Sequence, residues 1–349
     1  MKKFFFLAAA ALVALAACTK NELDPNSKEP RPINFNTVAG LNTKAPLSGT
    51  VYKTTDPPFG MFCYALVSDK NWTDDSADGQ LYMDNETISY VSADKIWEPS
   101  TTYYWPLSGS LTFIGYSPKA TSGTVAYAKA TKALTVTDFT VNSAAASQQD
   151  LMWATTQKDL TDNQSTYTSE IPQTSTLTGV NVIFHHALSQ IKFNVRKANG
   201  LEDYTLTVNS ITFKAYNKGT LTVTNDTPAW SGQAFLTGGD AFDFATGGSN
   251  VVAPNHANDY AAFGVANMPV PQTLATGVQT FTITYSLAKG GVDLGQKTVN
   301  NVDMLGATVT AWAPNTIYNY NIEIDLNKIY FNPTIVEWET GSSQEITAK

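Results

Sequence analysis

Between Thr316 and Leu326 the chain alternates without a break. Tyr318, Tyr320, Ile322, Ile324 and Leu326 fall on one face, and Asn319, Asn321, Glu323 and Asp325 on the other. Successive side chains of a strand point to opposite faces, so this spacing requires an extended segment with one buried and one wet side. Shorter runs rich in Val, Ile, Thr, Tyr and Phe recur at 59–67, 81–83, 87–91, 102–105, 111–116, 124–129, 134–141 and 151–154. They resume at 204–208, 211–216, 219–223, 260–266 and 280–287. Turn residues such as Ala77-Asp78-Gly79, Leu107-Ser108-Gly109 and Asn199-Gly200 separate them. No amphipathic helix beyond two turns, no heptad and no alignable repeat interrupts the series. The expected fold is all-β, with a sandwich over 45–198 and a second over 199–349.

The 349 residues suit two such domains, and 43% hydrophobic residues can fill their cores. Lys and Arg number 22 against 30 Asp and Glu, a net charge of -8 with the basic residues scattered. That distribution offers no footprint for a phosphate backbone, so nucleic acid is excluded as a partner.

At the N-terminus Lys2 and Lys3 precede an apolar run over 4–15, too short for a bilayer span of about 20 residues. With Leu15-Ala16-Ala17-Cys18 it resembles a bacterial lipoprotein signal, residues 1–17 being removed and Cys18 acylated to anchor the chain in a membrane. Residues 19–31 read as a polar tether, followed by an isolated strand in which Ile33, Phe35 and Thr37 alternate with Asn34 and Asn36. Cys63 lies in an apolar strand and reads as a buried thiol. Residues 155–179 read as a surface loop. Across 181–195 the apolar phase changes, which requires a bulge or bend near His185-His186.

The near-matches to reactive motifs read as structure. Residues 290–298 approach a phosphate loop, but Gln296 interrupts it, and a hairpin turn fits better. Asp74, Ser76, Asp78 and Gly79 follow the start of a calcium loop whose closing acid is misplaced. Adjacent His185 and His186 point to opposite faces and cannot share a metal without a bulge. Neither an enzyme nor a cofactor is expected.

Several segments come in an order that resembles one family. These are the lipobox at Cys18, Asn42-Thr43-Lys44-Ala45-Pro46, Phe59-Gly60-Met61-Phe62, Asp150-Leu151-Met152-Trp153-Ala154 and Phe184-His185-His186-Ala187-Leu188. Met268-Pro269-Val270-Pro271-Gln272, Trp312-Ala313-Pro314-Asn315 and Val336-Glu337-Trp338-Glu339 follow. Together they resemble the fimbrillins of Bacteroides-type bacteria, the type V pilins. The resemblance implies two transthyretin-like sandwich domains, an outer-membrane lipoprotein precursor, removal of the first strand by a trypsin-like protease, and surface assembly with other fimbrial subunits.

On this chain the implied cut falls at Lys44-Ala45, because Pro32 blocks cleavage after Arg31. It would release residues 18–44 with Ile33, Phe35 and Thr37, opening a groove for a neighbour's strand. The donor would come from 327–349, with Ile329, Phe331, Ile335, Val336 and Trp338 as anchors. An ordinary final hairpin is the alternative for that region. The competing function is a lipid-anchored surface protein that binds glycan or host ligand through Trp72, Tyr82 or Trp230. A surface hydrolase ranks last.

Overall fold

The computed structural model describes residues 31–39, 56–92, 96–162, 179–235, 243–326, 329–338 and 343–344. The signal segment 1–17, Cys18, Lys44 and Ala45 lie outside them.

Strands dominate. The first part of the chain forms β1 (Phe35–Ala39), β2 (Phe59–Leu66), β3 (Gln80–Val91), β4 (Ile96–Pro99), β5 (Ser110–Ser117), β6 (Thr124–Ala128), β7 (Ala133–Thr140), β8 (Met152–Ala154) and β9 (Gln157–Leu160). There follow β10 (Val180–His186), β11 (Ser189–Lys197), β12 (Tyr204–Lys214), β13 (Lys218–Thr224), β14 (Thr227–Ala234), β15 (Asp243–Ala245), β16 (Val251–Val252) and β17 (Ala261–Asn267). The last are β18 (Gln272–Thr273), β19 (Thr280–Lys289), β20 (Val292–Asp303), β21 (Ala311–Trp312), β22 (Thr316–Ile324), β23 (Ile329–Glu337) and β24 (Ser343–Gln344).

The pairing β2-β3-β4-β1-β10-β8-β5 returns to β2 through β5, so the first sheet closes into a ring. Closure leaves no free edge within it. Its interior is built from alternate residues: Phe59, Met61 and Cys63 of β2, Leu111 and Phe113 of β5, Val180, Val182 and Phe184 of β10. Burial pushes the Cys63 thiol well up. The outward residues Phe62 and Tyr64 stack toward Tyr127 of β6, in the four-stranded sheet β14-β13-β7-β6.

Two further sheets, β17-β11-β22-β23-β24 and β15-β12-β19-β20, enclose Phe193, Phe213, Phe281, Tyr320 and Phe331. β22 keeps the expected alternation, with Tyr318, Tyr320, Ile322 and Ile324 all buried.

The structure departs from the strand pattern expected of the sequence at several points. The runs at 81–83 and 87–91 are one strand of 12 residues, because Asn85 takes a φ of 50° and absorbs the break in phase. Residues 102–105 form no strand, and Tyr104 makes only a bridge to Pro32. The polar stretch expected as loop from 155 contains β9. The bend expected at His185-His186 is a change of sheet: β10 ends there, and β11 starts in another sheet after buried Ala187 and Leu188. Within the expected 45–198 unit, β11 therefore packs with the later strands, while hairpin β13–β14 returns to β7. The turn expected at 290–298 is Gly290-Gly291, with φ of 57° and 81°, joining β19 to β20.

Candidate assembly site

Residues 31–39 form one stave of the ring. β1 runs parallel to β10 from Phe35↔Val180 to Ala39↔Phe184 and meets β4 at Phe35↔Trp97. Before it, Ile33 N–H donates to the Tyr103 carbonyl at 2.9 Å and Trp105 N–H to the Arg31 carbonyl at 2.9 Å. On the other side Val180 N–H donates to the Asn34 carbonyl at 2.8 Å. Odd-numbered residues thus bond toward Tyr103 and β4, and even-numbered residues toward β10. Arg31 also lies 3.4 Å from Asp162.

The inward side chains are fully enclosed: Ile33 is 1% exposed and Phe35 0%. The Phe35 ring meets Phe113 edge-on at 5.5 Å and Phe59 at 6.2 Å. Phe59 in turn packs against Trp97 and Phe184, each at 5.3 Å. Burying Phe35 contributes about 1.5–3 kcal/mol, and removing the strand would expose this aromatic cage. Thr37 is half-buried.

The outward face carries an unusual pair. Asn36 and Asn181 stand opposite each other in the parallel register. Both are buried, yet Asn36 Nδ2 and both amide atoms of Asn181 have no hydrogen-bond partner. Buried amides are ordinarily satisfied.

The C-terminal segment expected as donor lies in β23, paired antiparallel with β22 from Thr316↔Glu337 to Ile324↔Ile329. It is the final hairpin of its sheet, with β24 on its outer side. Ile329, Phe331, Ile335 and Val336 are partly buried against the core, and Trp338 is 5% exposed. Trp338 stacks on His186 at the end of β10, with 3.9 Å between centroids and 9° between planes. Asp150 Oδ2 lies 2.8 Å from His186 Nδ1.

The sequence matches the family described as fimbrillin-like over residues 58–338. The chain belongs to the fimbrillin-like family. Among solved structures it is similar to a fimbrial protein of Bacteroides vulgatus, with 18% identity, a TM-score of 0.64, and coverage of 88% of this chain and 99% of that one. A protein of Bacteroides uniformis provisionally assigned to cell adhesion aligns with 16% identity and a TM-score of 0.43, over 90% of this chain and 100% of that one. No curated protein sequence matches. The first likeness establishes a shared fold.

In this fimbrillin-like chain the other residues singled out from the sequence have structural surroundings. Trp72 is 0% exposed, packed on Tyr64 and Tyr127, so it cannot serve as a ligand platform. Trp230 donates its indole N–H to the Ala187 carbonyl at 2.7 Å, and Tyr82 its hydroxyl to the Tyr104 carbonyl at 2.6 Å. Residues 72–75 form one helical turn capped by Asn71, and the Lys70 ammonium lies between Asp75 and Asp78. A cation already occupies the acidic loop. His185 stacks on Trp153 at 4.5 Å while His186 faces Asp150 and Trp338, so the pair shares no ligand. Among the described residues no group of three potential metal ligands converges, and no helix is long and apolar enough to cross a membrane.

The parallel pairing of β1 with β10 had no local sequence signal, since it joins segments far apart in the chain. Nor did the Asn36–Asn181 contact, which needs the register to be known.

Proposed function

We propose that this protein is a structural subunit of a cell-surface fimbrium that contributes to adhesion and has no catalytic activity. It is exported as a lipoprotein anchored in the outer membrane through Cys18, and a trypsin-like protease cuts after Lys44. The cut frees residues 18–44, including the Ile33-Phe35-Thr37 strand. The subunit then joins other fimbrial subunits by strand exchange.

One observation carries this reading: β1 is a stave of a closed ring, seated between β4 and β10, with Ile33 and Phe35 in the interior. Its removal would leave unpaired backbone groups on β10 beside an aromatic cage, a surface that an incoming strand can fill by main-chain hydrogen bonds and alternate side chains. The Lys44-Ala45 bond lies between β1 and β2, so cutting there would detach the stave alone.

Mass spectrometry of the N-terminus in sheared surface material, beside the acylation state of the cell-bound form, tests it. A start at Ala45 without lipid is expected. A uniform start at acylated Cys18 would sink polymerisation by strand exchange.

A further inference from the structure

The two ends of the ring differ in what they expose. β1 and β10 run parallel, β8 runs antiparallel to β10 and to β5, and β2 antiparallel to β5. The starts of β1, β10 and β5 therefore share one end with the finish of β2 and the start of β3, where Leu66 faces Ser110 and Ala65 faces Gln80. Four large apolar side chains stand exposed there: Val67 at 66%, Leu81 at 52%, Tyr104 at 45% and Leu107 at 92%. Among the described residues the other end of the ring exposes no large apolar side chain. The 107–109 turn lies so close on the end of β2 that a Cβ on Gly109 would come 2.2 Å from the Leu66 carbonyl oxygen and 3.3 Å from Val67 Cα. Leu81 adjoins Tyr82, whose hydroxyl bonds the Tyr104 carbonyl.

The chain arrives at this same end. Trp105 N–H donates to the Arg31 carbonyl at 2.9 Å, and Pro32 bridges Tyr104. Only residues 19–30 separate Arg31 from Cys18. That tether reaches at most about 40 Å when fully extended, and about 20 Å as a flexible coil. A lipid on Cys18 would therefore keep this end of the ring nearest the bilayer.

We infer that this end of the ring is a lipid-contact surface, on which the precursor stands at the membrane with Val67 and Leu107 at the acyl-chain boundary and Tyr104 among the headgroups. This rests on the lipoprotein reading and adds the orientation of the anchored chain. The acyl chains supply the affinity, and the apolar end decides which way up the protein stands. Charge plays little part. The adjacent turn carries Asp69, Asp74, Asp75 and Asp78, and Lys70, Lys129 and Lys132 reach into it, so the end is close to neutral. Because β1 runs from this end to the opposite one, Ala39 is directed away from the bilayer. The stretch from Ala39 to the Lys44-Ala45 bond therefore starts on the side open to a protease.

The test takes the acylated chain extracted from cells into phosphatidylcholine vesicles, with a fluorophore on Leu107→Cys in one sample and on Val292→Cys in another. Val292, in β20, is also exposed, at 63%, while Cys63 is buried in the ring and stays unlabelled. Spin-labelled lipid in the vesicles is expected to quench the probe at 107 by about twofold or more and to leave the probe at 292 unchanged. Val67→Ser should weaken that quenching while the chain still floats with the vesicles and melts like the parent. Chains that float yet show no quenching at 107, or the same quenching at 292, overturn the lipid surface and leave the anchor standing. A change at 107 that appears without vesicles and grows with protein concentration assigns the patch to a second copy, and overturns it likewise. Chains recovered from cells with an unmodified Cys18 overturn both readings.

Discussion

The imidazole of His186 lies flat on the indole of Trp338, 3.9 Å between centroids and 9° between planes. His186 closes β10, the strand that holds β1, and Trp338 ends the segment that follows β22 across the final hairpin. One stack therefore fastens the end of the C-terminal strand to the ring. Truncating Trp338 to Ala should destabilise the precursor by about 3–5 kcal/mol, as for other buried Trp truncations. Hydrogen exchange should locate the effect: amides of 329–337 lose protection, while those of 59–66 keep theirs. Unchanged protection in β23 would show that the stack holds nothing in place.

Asn181 offers a substitution expected to help. Its two amide atoms are buried and unbonded, so Asn181→Val removes unmet hydrogen-bonding groups without removing any bond. Releasing such a penalty should raise precursor stability by about 1 kcal/mol or more, read from the midpoint of urea unfolding. A loss of stability would mean that the amide is satisfied in solution.

Phe35→Ala should act in the opposite sense. With the ring 0% exposed among Phe59 and Phe113, its loss leaves a cavity that β-strands on every side keep from collapsing. A penalty of about 3–5 kcal/mol is expected in the precursor by chemical denaturation. Under the proposed cut after Lys44 the substituted residue leaves with residues 18–44, so the stability of any filament should equal that of the parent.

Burial holds the hydroxyls of Tyr320 and Tyr127 in the neutral form, each well above the ordinary tyrosine range, and raises those of Tyr116 and Tyr318 as well. Because the folded values exceed the unfolded one, this stabilisation is fully present below about pH 10 and is lost as pH rises above it. Thermal melts at increasing pH should be flat in this respect up to that point and fall beyond it. Tyr320→Phe, which loses the hydroxyl bond to the Met304 carbonyl, should have a lower melting point at neutral pH but a shallower alkaline decline.

What the residues made legible was local. β22 and β11 could be read because one face is apolar and the other polar, and the hairpin at Gly290-Gly291 because two glycines admit the left-handed turn. β14 gave little sign, since Pro228 and Gly232 break its pattern, and β9 was hidden in polar sequence. Asn85 split one strand into two because only its backbone reveals that the phase change is a bulge. Closure of the ring was beyond local reading: β2 joins β5, and β1 joins β10, by backbone bonds that leave no periodicity in either partner. The aromatic cage followed once those pairings were known.

The pairing of β1 with β10 links Phe35 to Val180, 145 residues further along the chain. Contacts so distant in the chain form late, because loop closure must precede them. During folding there is accordingly an interval in which the ring lacks its stave and any suitable strand could enter. The resident strand holds the advantage of its covalent connection, which presents it to the gap at an effective concentration of about the millimolar order. A cut between β1 and β2 abolishes this advantage without altering a single contact in the ring. The same fold that favours self-closure before the cut then competes for strands at their free concentration, so the bond between Lys44 and Ala45 would serve as a clock for joining one subunit to the next.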